Sequence, residues 1–242
     1  MECANSGAPD LEYSVHINGG GSKFHINRSD DEPLVASDDA QLLYVVEKEL
    51  TIQLQKRRRD LYFLHAAALA SSQNGFLLLA PSGGGKSTTA WGLLHHGFRY
   101  LSDELSPVDL TRMEIHSYPR AICLKKEPPL DYPPPANTIR TSRTLHIPIQ
   151  ELPVCYKPVT LRCIFFLEMC RGVSSPVLRA ISKAEAAARL IAQALNPLAH
   201  AEDGLTGAAA IAESASCFYL YSADLRLTCD LINKTLQGLS PQ

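Results

Sequence analysis

The segment LLLAPSGGGKSTTA, residues 77–90, constrains the fold of this chain more than any other stretch. An apolar run enters three consecutive glycines, a lysine and a serine follow, and a helical pattern takes over. Loops of this make curl successive backbone N–H groups around phosphate oxygens and aim the N-terminus of the next helix at them. Glycines are needed where a side chain would block the approach or where φ is positive. On that basis Ser82, Gly83, Gly84 and Gly85 form the cradle, Lys86 reaches the terminal phosphates, Ser87 is the Mg²⁺ ligand and Thr88 supports the first helical turn. The motif's usual first glycine is Ala80 here. A methyl is the smallest intrusion a side chain can make, and the position is a turn at the strand's end, so the change is expected to be tolerated. Pro81 lacks an N–H but stands at the loop entrance, where one donor can be spared.

The segments around the loop order themselves as an α/β chain. Residues 11–27 carry alternating stretches, EYSVHI and SKFHI, around GGGS and read as a hairpin. Ser37, Asp38 and Asp39 then open a helix on which Leu42, Leu43, Val46, Leu50 and Leu54 recur at helical spacing. The basic run at 56–59 closes it, which suits the negative end of the helix dipole. Residues 1–58 are therefore expected to form a hairpin and helix appendage, and residues 59–242 the main domain. There LYFLHAAALA and GFLLLA read as adjacent buried strands, STTAWGLLHHG as a helix closed by Gly97, and FRYLSDELSPVDL as strand, short loop and strand. Prolines at 127–137 exclude regular structure and leave a loop, or a lid over the site. TLRCIFFLE and CFYLYS read as later strands. KAEAAARLIAQAL reads as a helix opened by a Ser182–Glu185 capping box, and ADLRLTCDLINKTL as a last amphipathic helix.

Composition excludes several classes of protein. A chain of 242 residues suffices for one sizeable core with a small addition. Its net charge of −2 gives no general pull toward nucleic acid or anionic membrane, and no apolar run reaches the length of a membrane span. The N-terminus has no basic region followed by an apolar one, so no secretory signal is expected. Seven cysteines, none in a C-x-x-C pair, read as reduced, mostly buried thiols of a cytoplasmic protein. Histidines and cysteines show no zinc-ligand spacing. His95 and His96 end a helix, where a cap is the plain account.

The loop alone is similar to that of ABC transporter ATPases, but those carry LSGGQ further along and then an apolar strand ending in Asp-Glu. No LSGGQ occurs, and Asp103-Glu104 comes only 17 residues after Lys86. That early acidic pair, with LHAAALA before the loop, resembles the catalytic domain of HPr kinase/phosphorylase. The family's order is a His-bearing strand, a turn, a strand, the phosphate loop, a helix, and a strand ending in paired acids. The same core recurs in phosphoenolpyruvate carboxykinase and in small HPr-kinase-like proteins associated with modified-peptide gene clusters. The resemblance covers about residues 60–110 and continues more weakly through SYPRAICLK and TLRCIFFLE. It implies an α/β, mixed-sheet kinase core using ATP and Mg²⁺. It also implies His65 as the active-site histidine, Lys86 and Ser87 as loop residues, Asp103 as the base toward a seryl hydroxyl, and Glu104 as the acid that helps position metal and phosphate. Glu104 stands where the family has aspartate, and the glycine-rich signature beyond the acids is missing. The resemblance therefore does not extend to phosphorolysis or to HPr as substrate.

Taken alone, the residues leave more open. Phosphoryl transfer needs in-line positioning, charge neutralisation and a proton acceptor. Lys86 and Mg²⁺ would supply the second and Asp103 the third, with Glu104 holding Mg²⁺ directly or through water. His65 would bind a phosphate oxygen or orient Asp103; otherwise it is a hydrogen-bonded structural histidine. Arg120 and Lys125 flank a short strand and contact phosphate or acceptor, or are surface charges. Arg162 on an apolar strand has no assigned role. The expected activity is an ATP- and Mg²⁺-dependent kinase whose partner is a peptide or small protein with a serine hydroxyl. Homo-oligomerisation is left open. The competing expectation is a nucleotide-binding regulatory protein without transferase activity, or a kinase of a small molecule.

Overall fold

The computed structural model describes residues 11–17, 23–28, 32–170 and 172–239. The chain divides into two units, Met1–Arg57 and Arg58–Gln242. In the first, β1 (Tyr13–Ile17) and β2 (Phe24–Arg28) pair antiparallel, with Tyr13 opposite Arg28. The expected GGGS turn lies outside the described residues, as does Cys3. β3 (Leu34–Ala36) adds to the other edge of β2, and α1 (Asp39–Arg57) follows. The Asp38 carboxylate accepts the Gln41 N–H at 2.8 Å and so caps the first turn.

The second unit is built on a curled mixed sheet. Its first apolar run is not one strand: it breaks at His65–Ala66 into β4 (Leu61–Leu64) and β5 (Ala67–Ser71). β6 (Asn74–Leu79) returns beside β5 and leads through the glycine-rich loop into α2 (Lys86–His95). β7 (Arg99–Ser102) and β8 (Ser106–Asp109) then break in step with the first run, β5 pairing with β7 and β4 with β8. After β9 (Glu114–Ile115), a separate small sheet forms from β10 (Ile122–Leu124), β11 (Ile139–Arg140) and β12 (Leu145–Ile147). β13 (Val159–Met169), β14 (Val177–Ala180), α3 (Lys183–Ile191), α4 (Leu205–Ser214), β15 (Ser216–Ser222) and α5 (Leu225–Leu239) complete the unit. β13 lies parallel to both β6 and β15, and β14 pairs antiparallel with β15.

Alternation along the strands builds two cores. Leu77, Leu79, Ile164 and Phe166 pack with the buried faces of α3 and α4, while Phe76, Leu78, Phe165 and Leu167 pack with those of α2 and α5. This period of two through apolar runs is what a sheet covered on both faces requires.

Several local expectations change. α3 ends at Ile191 rather than Leu195, because sheet contacts capture the residues beyond it. The Gln193 carbonyl accepts the His65 N–H and the Leu195 N–H donates to the Phe63 carbonyl, both at 2.8 Å. Only half of the capping box forms: Ser182 accepts the Glu185 N–H, but the Glu185 carboxylate turns to Arg179 and Arg189. α4 was not expected from the sequence. Its buried face includes Gly207, Ala208 and Ala212, residues too small to give a clear apolar period. The charge at Arg162 is explained by a bulge, since the β6–β13 register shifts between Leu161 and Cys163. Arg162 is the extra residue there, exposed and within 3.3 Å of Asn74.

The proline-rich segment is not a lid. Tyr132 pins it to the far end of α2, its carbonyl accepting the Trp91 indole N–H at 2.9 Å and its hydroxyl meeting His96 at 3.0 Å. His95 and His96 both contact the Tyr132 ring, so they serve this anchor as well as the helix end. Among the described residues no helix is long and apolar enough to cross a membrane.

Candidate functional site

The loop between β6 and α2 has the backbone its sequence demands. Gly83 (φ 81°) and Gly85 (φ 90°) both take the left-handed region, where an L side chain is strained. Gly84 is glycine for a different reason. Its N–H donates to the Pro81 carbonyl at 2.8 Å, and an added Cβ would lie 2.9 Å from the Ala80 methyl and 3.0 Å from the Pro81 oxygen. Gly85 caps α2 without a side chain, so the first-turn N–H groups lack intrahelical partners and face the hollow of the loop.

Ala80 now has a physical account. It is buried in the core shared with α2, and its φ is not positive, so nothing in the backbone asks for glycine. Its methyl occupies the space that forces glycine at position 84. Ala80→Gly should cost on the order of 1–2 kcal/mol of stability, from about 0.8 kcal/mol of lost methyl burial plus the added backbone entropy of glycine. Nucleotide affinity should stay within about twofold. Chemical denaturation and equilibrium titration read the two quantities separately.

The acids arrive through the paired breaks. Where 61–71 and 99–109 interrupt their common ladder, His65 and Ala66 project from one run and Asp103, Glu104 and Leu105 from the other. Two serines that sequence reading passed over clamp the break shut. Ser106 Oγ donates to the Ala66 carbonyl at 2.9 Å and lies 2.8 Å from Ser102 Oγ, all three residues being buried. Glu104 makes the turn with φ 74°, a left-handed conformation that costs a non-glycine residue on the order of 1–3 kcal/mol and clusters at functional sites.

These elements bring the expected residues together. A cleft of about 250 Å³ is lined by His65, the loop residues Ser82, Gly83, Gly85, Lys86, Ser87 and Thr88, and by Glu104; Gly84 and Asp103 are not among the lining residues. Asp103 is 4% exposed against 7% for Lys86, whose charge acts on it. Lys86 Nζ and both carboxylate oxygens of Asp103 are buried without a hydrogen-bond partner. Lys125, left unassigned by the sequence, also lines the cleft and donates to Ser82 Oγ at 2.9 Å. Lys126, Cys123 and Met169 join the wall. Arg120 does not line it; its carbonyl accepts the Tyr100 hydroxyl at 3.0 Å.

Burial dominates the electrostatics. Loss of solvent raises the Asp103 pKa, against the pull of Lys86 and of the nearby Ser87 hydroxyl, which falls short of a hydrogen bond of normal geometry. Burial likewise lowers the Lys86 pKa, opposed by Asp103 and Glu104. The His65 pKa falls through burial and then through the charges of Lys86 and Lys125, which favours a neutral imidazole. Three lysines facing one cleft make it a place for a polyanion.

The arrangement fits a triphosphate with magnesium. The glycine cradle admits phosphate oxygens close to the backbone, and Lys86 Nζ is a buried donor that such oxygens would satisfy. Among the described residues no cluster of three or more His, Cys, Asp or Glu could hold a metal ion. Mg²⁺ keeps waters and phosphate oxygens and needs only one or two protein ligands; Ser87 and Glu104, both lining the cleft, would be the residues to hold it.

The fold and cleft define an α/β protein with a glycine-rich loop between a strand and a helix at the C-terminal side of a mixed sheet. No protein-family model and no curated protein matches the chain. Among solved structures it is similar to the HPr(Ser) kinase/phosphatase from Coxiella burnetii, at 11% identity and a TM-score of 0.38, over 74% of this chain and 99% of that one. So loose an overlap carries no functional argument, and the residues of the cleft must do so instead.

Proposed function

We propose that the second unit is an ATP- and Mg²⁺-dependent kinase that transfers the γ-phosphoryl group to a hydroxyl, most simply a serine of a peptide or small protein. One observation carries the proposal: Lys86 Nζ and both Asp103 oxygens are buried near each other without hydrogen-bond partners, beside a loop with two left-handed glycines. Leaving such groups unsatisfied costs about 1–3 kcal/mol each, more when charged, which calls for a role beyond folding. Phosphate oxygens complete Lys86. A hydroxyl approaching the γ-phosphorus gives its proton to Asp103, whose raised pKa brings it closer to the range in which a base works near neutrality. The new bond joins the hydroxyl oxygen to phosphorus, the bond to the bridging oxygen breaks, and ADP leaves. Mg²⁺, when bound between Ser87, Glu104 and phosphate oxygens, would neutralise charge on the transferred group.

The test is incubation of the purified chain with γ-labelled ATP, Mg²⁺ and serine-containing peptides. The expected result is label on peptide serine that depends on Mg²⁺. ATP binding with no label in any peptide or small hydroxyl compound would instead establish a regulatory nucleotide-binding protein.

A further inference from the structure

A second cavity of the second unit, about 450 Å³, neighbours the cleft over Lys86. Leu79, Phe166 and Tyr219 stand side by side across three parallel strands, because Leu79 pairs with Phe166 and Phe166 with Tyr219. They line a hollow toward the C-terminal ends of those strands, where open α/β sheets hold ligands. The end of α3 closes it. The Arg189 guanidinium lies 4.4 Å from the Tyr219 ring centre and 5.9 Å from that of Phe166, and Ala192 and Gln193 follow. One cation and one carboxylate line it: Arg189, which donates to Glu185 at 2.9 Å, and Glu168, which accepts the Tyr219 hydroxyl. The rest of the lining is mainly apolar and a carboxylate in the wall disfavours a phosphate, so the hollow suits an uncharged apolar group.

The hollow also touches the reactive centre. Pro81 lines both cavities, and the carbonyl of Gln193, in the wall of the second one, accepts the His65 N–H. We infer that this hollow receives the acceptor: an apolar or aromatic side chain flanking the reacting serine of a peptide enters it, and the hydroxyl crosses Pro81 toward Asp103. The inference rests on the transferase function proposed above. The rival occupant is the nucleotide base, and position argues against it. The hollow adjoins the loop entrance at Ala80 and Pro81, on the His65 side. On the function proposed above, Lys86 would meet the terminal phosphate there, and Thr88, further into the helix, the inner phosphates.

Serine heptapeptides differing only in the residues flanking the serine (Phe, Leu, Ala, Lys or Asp) give the test. Phe and Leu peptides should be phosphorylated with a kcat/KM at least tenfold above Lys and Asp peptides. Ala192→Trp, at an exposed position closing α3, fills the hollow and should bring the Phe peptide down to the Ala peptide's level. Affinities for ATP and for tripolyphosphate should not change. If that variant folds poorly, Tyr219→Ala should remove the same preference by taking away one wall. A flat peptide profile, or a preference that survives both substitutions, overturns the inference and leaves the kinase standing. Weakened ATP binding with unchanged tripolyphosphate binding assigns the hollow to the base and also overturns it. Transfer to small hydroxyl compounds alone overturns the inference and leaves the kinase standing; no transfer to any peptide or small hydroxyl compound, with ATP still bound, overturns both.

Discussion

Lys86→Met should lower phosphoryl transfer by at least about a hundredfold and remove the stabilisation that ATP gives the fold. The magnitude follows from the role. A donor aimed at charge that develops in the transition state is worth roughly 3–4 kcal/mol when it acts in a site shielded from water. On the proposed function Lys86 is such a donor: it is 7% exposed and its Nζ has no hydrogen-bond partner. Methionine keeps most of the length and apolar stem and removes the charge together with its hydrogen-bond donors. Lys86 makes no hydrogen bond in the free protein, but its charge favours the buried Asp103 carboxylate, so each protein's response to ATP is measured from its own nucleotide-free midpoint. Saturating ATP should raise the parent's stability by about 3 kcal/mol at a hundred times its Kd, and leave the variant's unchanged. A variant that still shifts with ATP would place the triphosphate away from this loop.

The same lysine shows how far the sequence reaches. SGGGKST between an apolar run and a helical pattern is local information, and local patterns survive folding. That is why the cradle, Lys86 and Ser87 were legible. Asp103-Glu104 was legible because its distance along the chain from the loop is short. What stayed hidden depends on partners far apart in sequence. LYFLHAAALA looks like one strand, and only its pairing with both β7 and β8 shows why it must break at His65. Lys125 is open in the sequence between a phosphate contact and a surface charge until β10 brings it to Ser82, 43 residues away in the chain. The sequence places Phe166 and Tyr219 on separate strands and Arg189 on a helix, with nothing to join them. Their common hollow exists only because β15 and β13 lie parallel and α3 stops early. The proline segment misled for the opposite reason: composition shows that it cannot be regular, but not where Tyr132 anchors it.

Asp103→Asn should reduce transfer roughly 10²–10⁴-fold, the usual worth of a positioned base, and should also make the metal-free protein more stable at neutral pH. The second effect follows from the raised pKa. Below the ordinary value of 3.8, folded and unfolded chains both carry the proton and nothing is lost. As pH rises, the unfolded chain releases it first. The folded state then binds more protons, and stability falls until the folded group also ionises. Above that point the parent carries the net penalty of a buried carboxylate, eased by Lys86 and Ser87 but not cancelled. Asparagine mimics the protonated form and escapes it. The variant's advantage should therefore be present at pH 7 and close as pH approaches about 4. Urea denaturation of both proteins across that range, with chelator and without nucleotide, measures it. A variant less stable than the parent at pH 7 would make Asp103 a structural partner of Lys86. A variant more stable yet unable to transfer phosphate would mean that the fold gives up stability to keep a carboxylate where the acceptor hydroxyl needs it.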